Sequence, residues 1–203
     1  MKLEYMTRME LILPPSVIPF RVTLDEPLTD WLLLQISEQN RLFHVEREPD
    51  GSLSVRRIGD WRAAGVSSNL GGTLWDWAKK DGRGWALVNT GFYLKDGSMR
   101  GARWSWISKE RLGREGLKRE PGFARACPEF VAEVLADNYS REEMQARMRM
   151  WIENGVELGL MADPERKVVE IYRQGREVEV VADRVVGDGV MAGFALELSK
   201  IWE

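Results

Sequence analysis

The sequence contains few of the residues that disulfides, zinc sites and nucleophilic triads require. Its 203 residues include one cysteine, Cys127, and one histidine, His44. A single cysteine cannot close an internal disulfide, and it fits the reducing cytoplasm in which we expect this protein to act. A single histidine excludes zinc sites built on paired histidines. A Ser–His–Asp triad would have to recruit His44, and no nucleophile-elbow motif accompanies it.

Long apolar runs, a strong charge bias and phosphate-binding loops are also missing. No run is long and apolar enough to span a membrane, and the start, MKLEYMTRMELIL, carries too many charges for a signal peptide. The formal net charge is -3, so any nucleic-acid site must be a local patch. There is no GxxxxGK[ST] loop, and Gly71-Gly72 does not follow a predicted strand. That glycine pair predicts a tight helix–sheet contact, with ligand approach as the alternative.

What is present is the pattern of one globular domain with strands and helices interspersed. Hydrophobic residues make up 44% of the chain and charged residues 30%, which is typical of a soluble fold. We interpret residues 1–26, which contain three prolines and a possible edge strand at 17–24, as an N-terminal arm, and residues 27–203 as the main domain. The pattern predicts a mixed sheet of six to eight strands and three main helices, at 27–40, 66–80 and 140–154.

The segment 128–163 is the centre of this interpretation. An apolar strand that carries Glu133, a helix with a Ser140–Glu143 capping box and a second apolar strand ending at Asp163 predict a parallel crossover unit. Together with Glu46 on an earlier strand, Glu133 and Asp163 are candidate oxygen ligands for Mg²⁺. The alternatives are that these acids face solvent through strand alternation or pair with arginines.

Several segments carry a resemblance to a known family. They are Glu46 before a Pro-Asp-Gly hairpin, SSNLGGTLWDW, NTGFYLKDGSMRGARWSWI, FVAEVLADNYSREEMQARMRMWIENGVELGLMADPERKVVEIYR and GFALEL. In this order, over residues 28–202, they resemble the Uma-two (Uma2) family of restriction-endonuclease-like proteins, within the PD-(D/E)XK nuclease superfamily. The resemblance implies an α/β (α+β) fold with a mixed central sheet flanked by helices. It also implies Mg²⁺-dependent DNA endonuclease activity, with DNA as the partner.

The resemblance also assigns roles to residues of this chain. It implies that Glu46 is the upstream catalytic acid, that Glu133 is the catalytic and metal-binding strand glutamate, and that Arg147 replaces the usual helix lysine. The metal-binding aspartate is replaced by Arg103. Because arginine stays protonated and cannot bind a cation, we expect Arg103 to pair with Glu133 and to fill the metal position. This predicts a weak or inactive nuclease.

The alternative functions are a nucleic-acid-binding protein without catalysis, a module that binds a protein partner, and a structural homodimer, the last by analogy only. Arg56, Arg57 and Arg100 are candidate phosphate-binding residues, against the simpler interpretation of a solvated surface. The other arginines assigned to that patch are Arg62, Arg103, Arg111, Arg114 and Arg125. Trp61 or Trp104 would serve a protein interface.

Overall fold

The computed structural model describes residues 19–25, 28–115 and 122–203, excepting the side chains of residues 114 and 115. The predicted N-terminal arm lies mostly outside these residues. Within them the chain forms, in order, β1 (Phe20–Val22), α1 (Asp30–Gln39), β2 (Phe43–Arg47), β3 (Leu53–Arg57), α2 (Trp61–Asp81), β4 (Gly84–Tyr93), β5 (Met99–Ser108), α3 (Lys109–Glu115), β6 (Phe130–Val134), α4 (Arg141–Asn154), β7 (Leu158–Asp163), β8 (Val168–Tyr172), β9 (Glu179–Val181), β10 (Arg184–Val186) and β11 (Ala195–Glu197). No helix of the described residues is long and apolar enough to cross a membrane.

Nine of the strands form one mixed sheet, and β10 and β11 form a separate antiparallel pair. The order in the sheet is β1-β3-β2-β5-β6-β7-β8-β9, with β4 added on β5. The β6 and β7 strands are parallel and are joined through α4, as the sequence predicts. The mixed sheet flanked by helices confirms the predicted fold class. The sheet has nine strands rather than six to eight, and β1 lies inside the possible edge strand at 17–24.

The β5 strand divides the sheet into two arms. One edge of β5 pairs with β4 from Gly84 to Tyr93. The other edge pairs with β2 at Met99 and with β6 only from Trp104 to Trp106. Between these pairings, residues 100–103 have no register partner on that edge in the described part of the chain. The sheet therefore opens into a fork between β2 and β6.

Helix α2 covers one face of the sheet and begins earlier than the pattern predicts. Its first residue is Trp61, capped by Asp60, whose carboxylate accepts the Arg62 and Ala63 N–H groups at 2.8 and 3.0 Å. The predicted start near residue 66 was wrong because burial of Ala63 outweighs the glycine at position 65. A Cβ at Gly71 would lie 1.9 Å from the Trp104 ring, which confirms the close helix–sheet contact.

Helix α4 covers the opposite face and places the candidate acids beneath it. Its capping box between Ser140 and Glu143 is formed as predicted. Met148 and Trp151 are buried against Val131 and Met161. Because strand side chains alternate, Glu133 shares a face with Val131 and therefore points toward α4.

Candidate functional site

The fork between β2 and β6 opens into a pocket in which the main predicted site residues meet. The pocket is lined by Glu46 from β2, Arg103 from β5, Glu133 from β6 and Arg147 from α4, and His44 also contributes. The sequence places these residues up to 103 positions apart, between His44 and Arg147. The fork and the helix above it bring them together.

Glu46 is held by a dense set of donors. Its carboxylate accepts two bonds from Arg147, at 2.9 and 2.8 Å, in a bidentate pair. It also accepts the Gly101 N–H at 2.7 Å and an Arg100 N–H at 3.4 Å. Burial on its own would raise the pKa of Glu46, but the charge and hydrogen bonds of Arg147, with Arg100 and Gly101, lower it to about 2. Glu46 is therefore ionised near neutral pH.

Glu133 is as buried as Glu46 but has fewer donors. One oxygen accepts the Arg147 Nε–H at 3.2 Å. Burial raises the pKa of Glu133 above its ordinary value, the nearby charge of Glu46 raises it further, and the charge of Arg147 only partly opposes them. The two acids therefore differ: folding lowers the pKa of Glu46 and raises the pKa of Glu133.

Arg147 joins the two arms of the fork. Its guanidinium contacts Glu46 on β2, Glu133 on β6 and the Gly101 carbonyl on β5. It also lies 5.8 Å from the Trp151 ring centroid. Burial would lower the pKa of Arg147, but the acids around it raise that pKa well above its ordinary value, so the cation is permanent. A fixed positive charge thus sits between the two carboxylates.

Arg103 does not form the predicted ion pair with Glu133. Its Nε donates to the Ser67 hydroxyl of α2 at 2.9 Å. Among the described residues, no carboxylate lies within salt-bridge distance of its guanidinium. The prediction was wrong because β5 leaves its regular ladder at this point: neither Arg103 nor Asn89, which has a φ of 47°, takes part in the β4–β5 register. The cation beside Glu133 comes from α4 instead.

Asp163 is not part of the pocket. Its Oδ1 accepts the N–H groups of Glu165 and Arg166, each at 3.1 Å, and its Oδ2 pairs with Arg141. The side chain is fully buried in these contacts. The predicted contribution of Asp163 to a metal site is therefore corrected: it caps the turn between β7 and β8.

The three arginines predicted to bind phosphate have carboxylate partners. Arg56 pairs with Glu143 at 2.8 Å, Arg57 with Asp137 at 2.6 Å, and Arg100 with Glu48 at 2.6 Å. Arg56 also lies 4.0 Å from the Tyr139 ring centroid. Their charge is thus largely balanced within the molecule. A role for them in nucleic-acid binding stays a prediction.

The residues in the pocket do not fit a Mg²⁺ site as they stand. Mg²⁺ takes near-octahedral oxygen ligands, usually with one or two carboxylates. The two pocket glutamates already bind a guanidinium, and the described residues contain no group of three or more Asp, Glu, His or Cys side chains able to hold a metal. The assignment of Glu133 as a metal ligand therefore stays a prediction from the family.

Sequence reasoning missed two parts of this site. Ser67 was not among the predicted site residues, but it is buried inside α2 and anchors both Arg103 and Trp104. The bridging position of Arg147 was also missed, although a signal existed. Arg147 lies three residues after Met144 and four before Trp151, which places it on the buried face of α4.

The fold and the pocket together define a restriction-endonuclease-like α/β protein. The family model described as "Putative restriction endonuclease", Uma2, matches residues 30–199. Since this match covers most of the sequence, the chain belongs to the Uma2 family, and the predicted resemblance is confirmed.

The fold is similar to a crystal structure described as a "putative nuclease belonging to DUF820" from Anabaena variabilis. The TM-score is 0.66 at 16% sequence identity, over 78% of this chain and 89% of that chain. No curated protein matches the sequence significantly.

Proposed function

We propose that this protein keeps the nuclease fold and the nucleic-acid association of its family but has little or no metal-dependent endonuclease activity. The observation that carries the proposal is the bridge formed by Arg147, which binds Glu46 through two nitrogens and Glu133 through Nε. Membership in a restriction-endonuclease-like family implies a divalent metal. In this chain, a side-chain cation holds the carboxylates that the metal would need.

The electrostatic cost of adding Mg²⁺ beside Arg147 is large. Two unit charges at 4 Å repel by about 4 kcal/mol at an effective dielectric of 20, so a doubly charged ion would be repelled by roughly 8 kcal/mol. Metal binding requires the ionised carboxylate, and the burial that raises the pKa of Glu133 opposes that form. Arg103, at the position of the family's aspartate, adds a second positive charge to the pocket.

The direct test is incubation of the purified protein with supercoiled plasmid and with linear DNA, in Mg²⁺ and in Mn²⁺. We expect both substrates to stay intact. Glu133→Ala is the control for contaminating nucleases, because their activity would persist in this variant. Metal-dependent cleavage that is present in the wild type and lost in Glu133→Ala would overturn the proposal.

A substitution at position 103 tests the inferred loss of the metal site. Arg103→Asp restores an acid at the family's aspartate position and removes one positive charge from the pocket. We expect this variant to gain weak Mn²⁺ or Mg²⁺ binding, measured by calorimetry against the wild type. If the variant binds neither ion more tightly than the wild type, position 103 is not the lost ligand.

A structural homodimer is the second candidate function, and the outer edge of β4 favours it. In the described residues, the only pairing of this edge is an isolated bridge from Phe92 to Ala124. Trp85 and Val88 are about half exposed along the strand. A free edge strand can pair with its own copy around a two-fold axis. Sedimentation analysis should then give a dimer that Val88→Lys dissociates, and a monomeric wild type would reject this candidate.

A further inference from the structure

Arg103 differs from the other pocket cations because its guanidinium has no acidic partner among the residues that the structure describes. Arg147 and Arg100 each contact carboxylates, whereas the Arg103 guanidinium donates one hydrogen bond, to the neutral Ser67 hydroxyl, and only the backbone N–H of Arg103 bonds Glu133. The bond to Ser67 uses Nε and leaves the two terminal nitrogens available. Arginine is suited to phosphate because its planar donors match two phosphate oxygens. A guanidinium that lines a pocket and is not paired with a carboxylate is thus a candidate anion anchor.

An exposed apolar ledge adjoins the same pocket. It consists of Leu42, Ile58 and Trp61, which are 69%, 40% and 78% exposed. The Ile58 N–H donates to the Leu42 carbonyl at 3.2 Å, so the two residues are neighbours at the ends of β2 and β3. Their chain neighbours Phe43 and Gly59, with Asp60 next to Trp61, line the pocket.

Trp61 has the exposure that base stacking requires. The Arg62 guanidinium lies 5.5 Å from its ring centroid. Such contacts cover one face of an indole, and the exposed fraction of Trp61 leaves room for a base on the other face. Stacking on an aromatic side chain accepts any base, since every base has a π-face. It does require a base that is not already stacked inside a duplex.

Helix α2 sets the spacing between the ledge and Arg103. Trp61 and Ser67, which anchors Arg103, are six residues apart on this helix. At 1.5 Å per residue the separation along the axis is about 9 Å. Stacked nucleotides rise about 3.4 Å each along one strand, so this distance corresponds to two or three nucleotides.

From this arrangement we infer that the pocket binds single-stranded nucleic acid, with a phosphate on Arg103 and an unpaired base on Trp61. The inference rests on the nucleic-acid association in the proposed function and specifies its form. A duplex would satisfy Arg103 but would offer no unstacked base to Trp61.

The test is fluorescence anisotropy in EDTA with a labelled 12-nucleotide DNA strand, the RNA strand of the same sequence and the corresponding DNA duplex. We expect tighter binding of the single strands than of the duplex. Arg103→Ala should weaken single-strand binding about tenfold and reduce the slope of log K against log salt by about 0.7. Trp61→Ala should weaken it about tenfold, whereas Trp61→Phe should retain most of the affinity.

Matched controls come from the same chain. Trp75 lies on α2 and is 47% exposed, about 21 Å further along the helix axis, and Trp75→Ala should leave binding unchanged. The matched control for the arginine is Arg184→Ala, since Arg184 lies on β10 and pairs with Glu197. Thermal unfolding verifies that each variant is folded. If Arg103→Ala does not fold, Arg103→Lys replaces it in the test.

Two results would overturn the inference. One is equal affinity for the duplex and the single strands, together with unchanged binding in Trp61→Ala. The protein would then bind nucleic acid, but not as a single strand with a base on Trp61. The other is no binding of any of the three probes, which would also overturn the nucleic-acid association in the proposed function. Both are distinct from failure of the proposed loss of activity, which the cleavage assay in Mg²⁺ and Mn²⁺ detects independently.

Discussion

Helix α4 directs two arginines at buried acids of the sheet, and the two resulting clusters have different roles. The turn cluster consists of Arg141, Gln145, Asp163, Glu170 and Tyr172. The pocket cluster consists of Arg147, Arg100, Glu46, Glu48 and Glu133. Both contain strand carboxylates, and both show the charge and burial that are often taken as signs of an active site.

The difference lies in what holds each carboxylate. In the turn cluster, Asp163 accepts two backbone N–H groups of its own turn, and Glu170 accepts the Tyr172 hydroxyl at 2.6 Å and Gln145 at 3.0 Å. These acids keep donors without Arg141. In the pocket cluster, Glu46 and Glu133 lie on strands that do not pair with each other, and Arg147 is their shared contact. The first cluster stabilises a turn, whereas the second closes a fork.

The largest expected effect on stability is the one that distinguishes Arg147 from Arg141. Arg147→Met should lower the free energy of unfolding by about 3 to 5 kcal/mol, because it removes the bidentate partner of buried Glu46 and the side-chain donor to buried Glu133. Arg141→Met should cost about 2 kcal/mol or less, because its side chain is 26% exposed against 10% for Arg147 and its acids retain other donors. Urea denaturation at pH 7 measures both. Equal costs would show that the fork does not depend on Arg147 more than the turn depends on Arg141.

Glu46→Gln should have the next largest effect and a distinctive pH dependence. The pKa of Glu46 falls from 4.5 to about 2 on folding, which corresponds to about 3 kcal/mol at neutral pH. Since the folded-state pKa is the lower one, this stability is complete above about pH 4.5 and is lost as the pH falls toward 2. The stability difference between wild type and variant should therefore shrink over that interval. A difference that is constant from pH 6 to pH 3 would contradict the assigned pKa shift.

The comparison of the clusters also shows what the sequence can and cannot predict. The parallel unit β6-α4-β7 and its capping box follow from apolar runs and from a serine and glutamate three residues apart, which are local signals. The convergence of Glu46 and Glu133 came from family resemblance, because their spacing alone carries no such information. The ion pair of Arg103 was predicted wrongly because the local departure of β5 from its ladder is set by tertiary pairing. Asp163 carries a local signal of its observed role, since Asp-Pro followed by two polar residues is a turn signal and Asp163 accepts two N–H groups of that turn.

A third effect concerns divalent cations. With Arg147 replaced by Met, Glu46 and Glu133 would face each other without a side-chain cation between them. Mg²⁺ or Mn²⁺ should then stabilise Arg147→Met by about 1.4 kcal/mol at a concentration ten times the dissociation constant. The wild type and Arg141→Met should not respond. Thermal unfolding with and without the ions measures this, and the absence of a response in Arg147→Met would mean that the two acids cannot form a cation site.

Glu133→Gln should have the smallest effect, and the charge balance of the pocket cluster explains why. Within the cluster, Arg100 and Arg147 bind Glu46, and Arg100 also binds Glu48, so two negative charges face two positive ones. The exposed Arg21 also lies 3.7 Å from Glu48. Glu133 is the additional acid, and its raised pKa shows that its charge is disfavoured in the folded protein. A glutamine keeps an oxygen acceptor for the Arg147 Nε–H and removes that charge. The free energy of unfolding at pH 7 should therefore change by less than about 1 kcal/mol.

The pH dependence of Glu133→Gln should be opposite to that of Glu46→Gln. Folding raises the pKa of Glu133, so the ionised carboxylate lowers the stability of the folded protein. This loss of stability is complete above the folded-state pKa and disappears as the pH falls below the unfolded-state pKa. The variant should therefore gain stability relative to the wild type as the pH rises through this interval. If Glu133→Gln instead costs as much as Glu46→Gln at pH 7, the two carboxylates are equivalent partners of Arg147. The pocket would then hold three indispensable charges rather than a balanced set with one surplus acid.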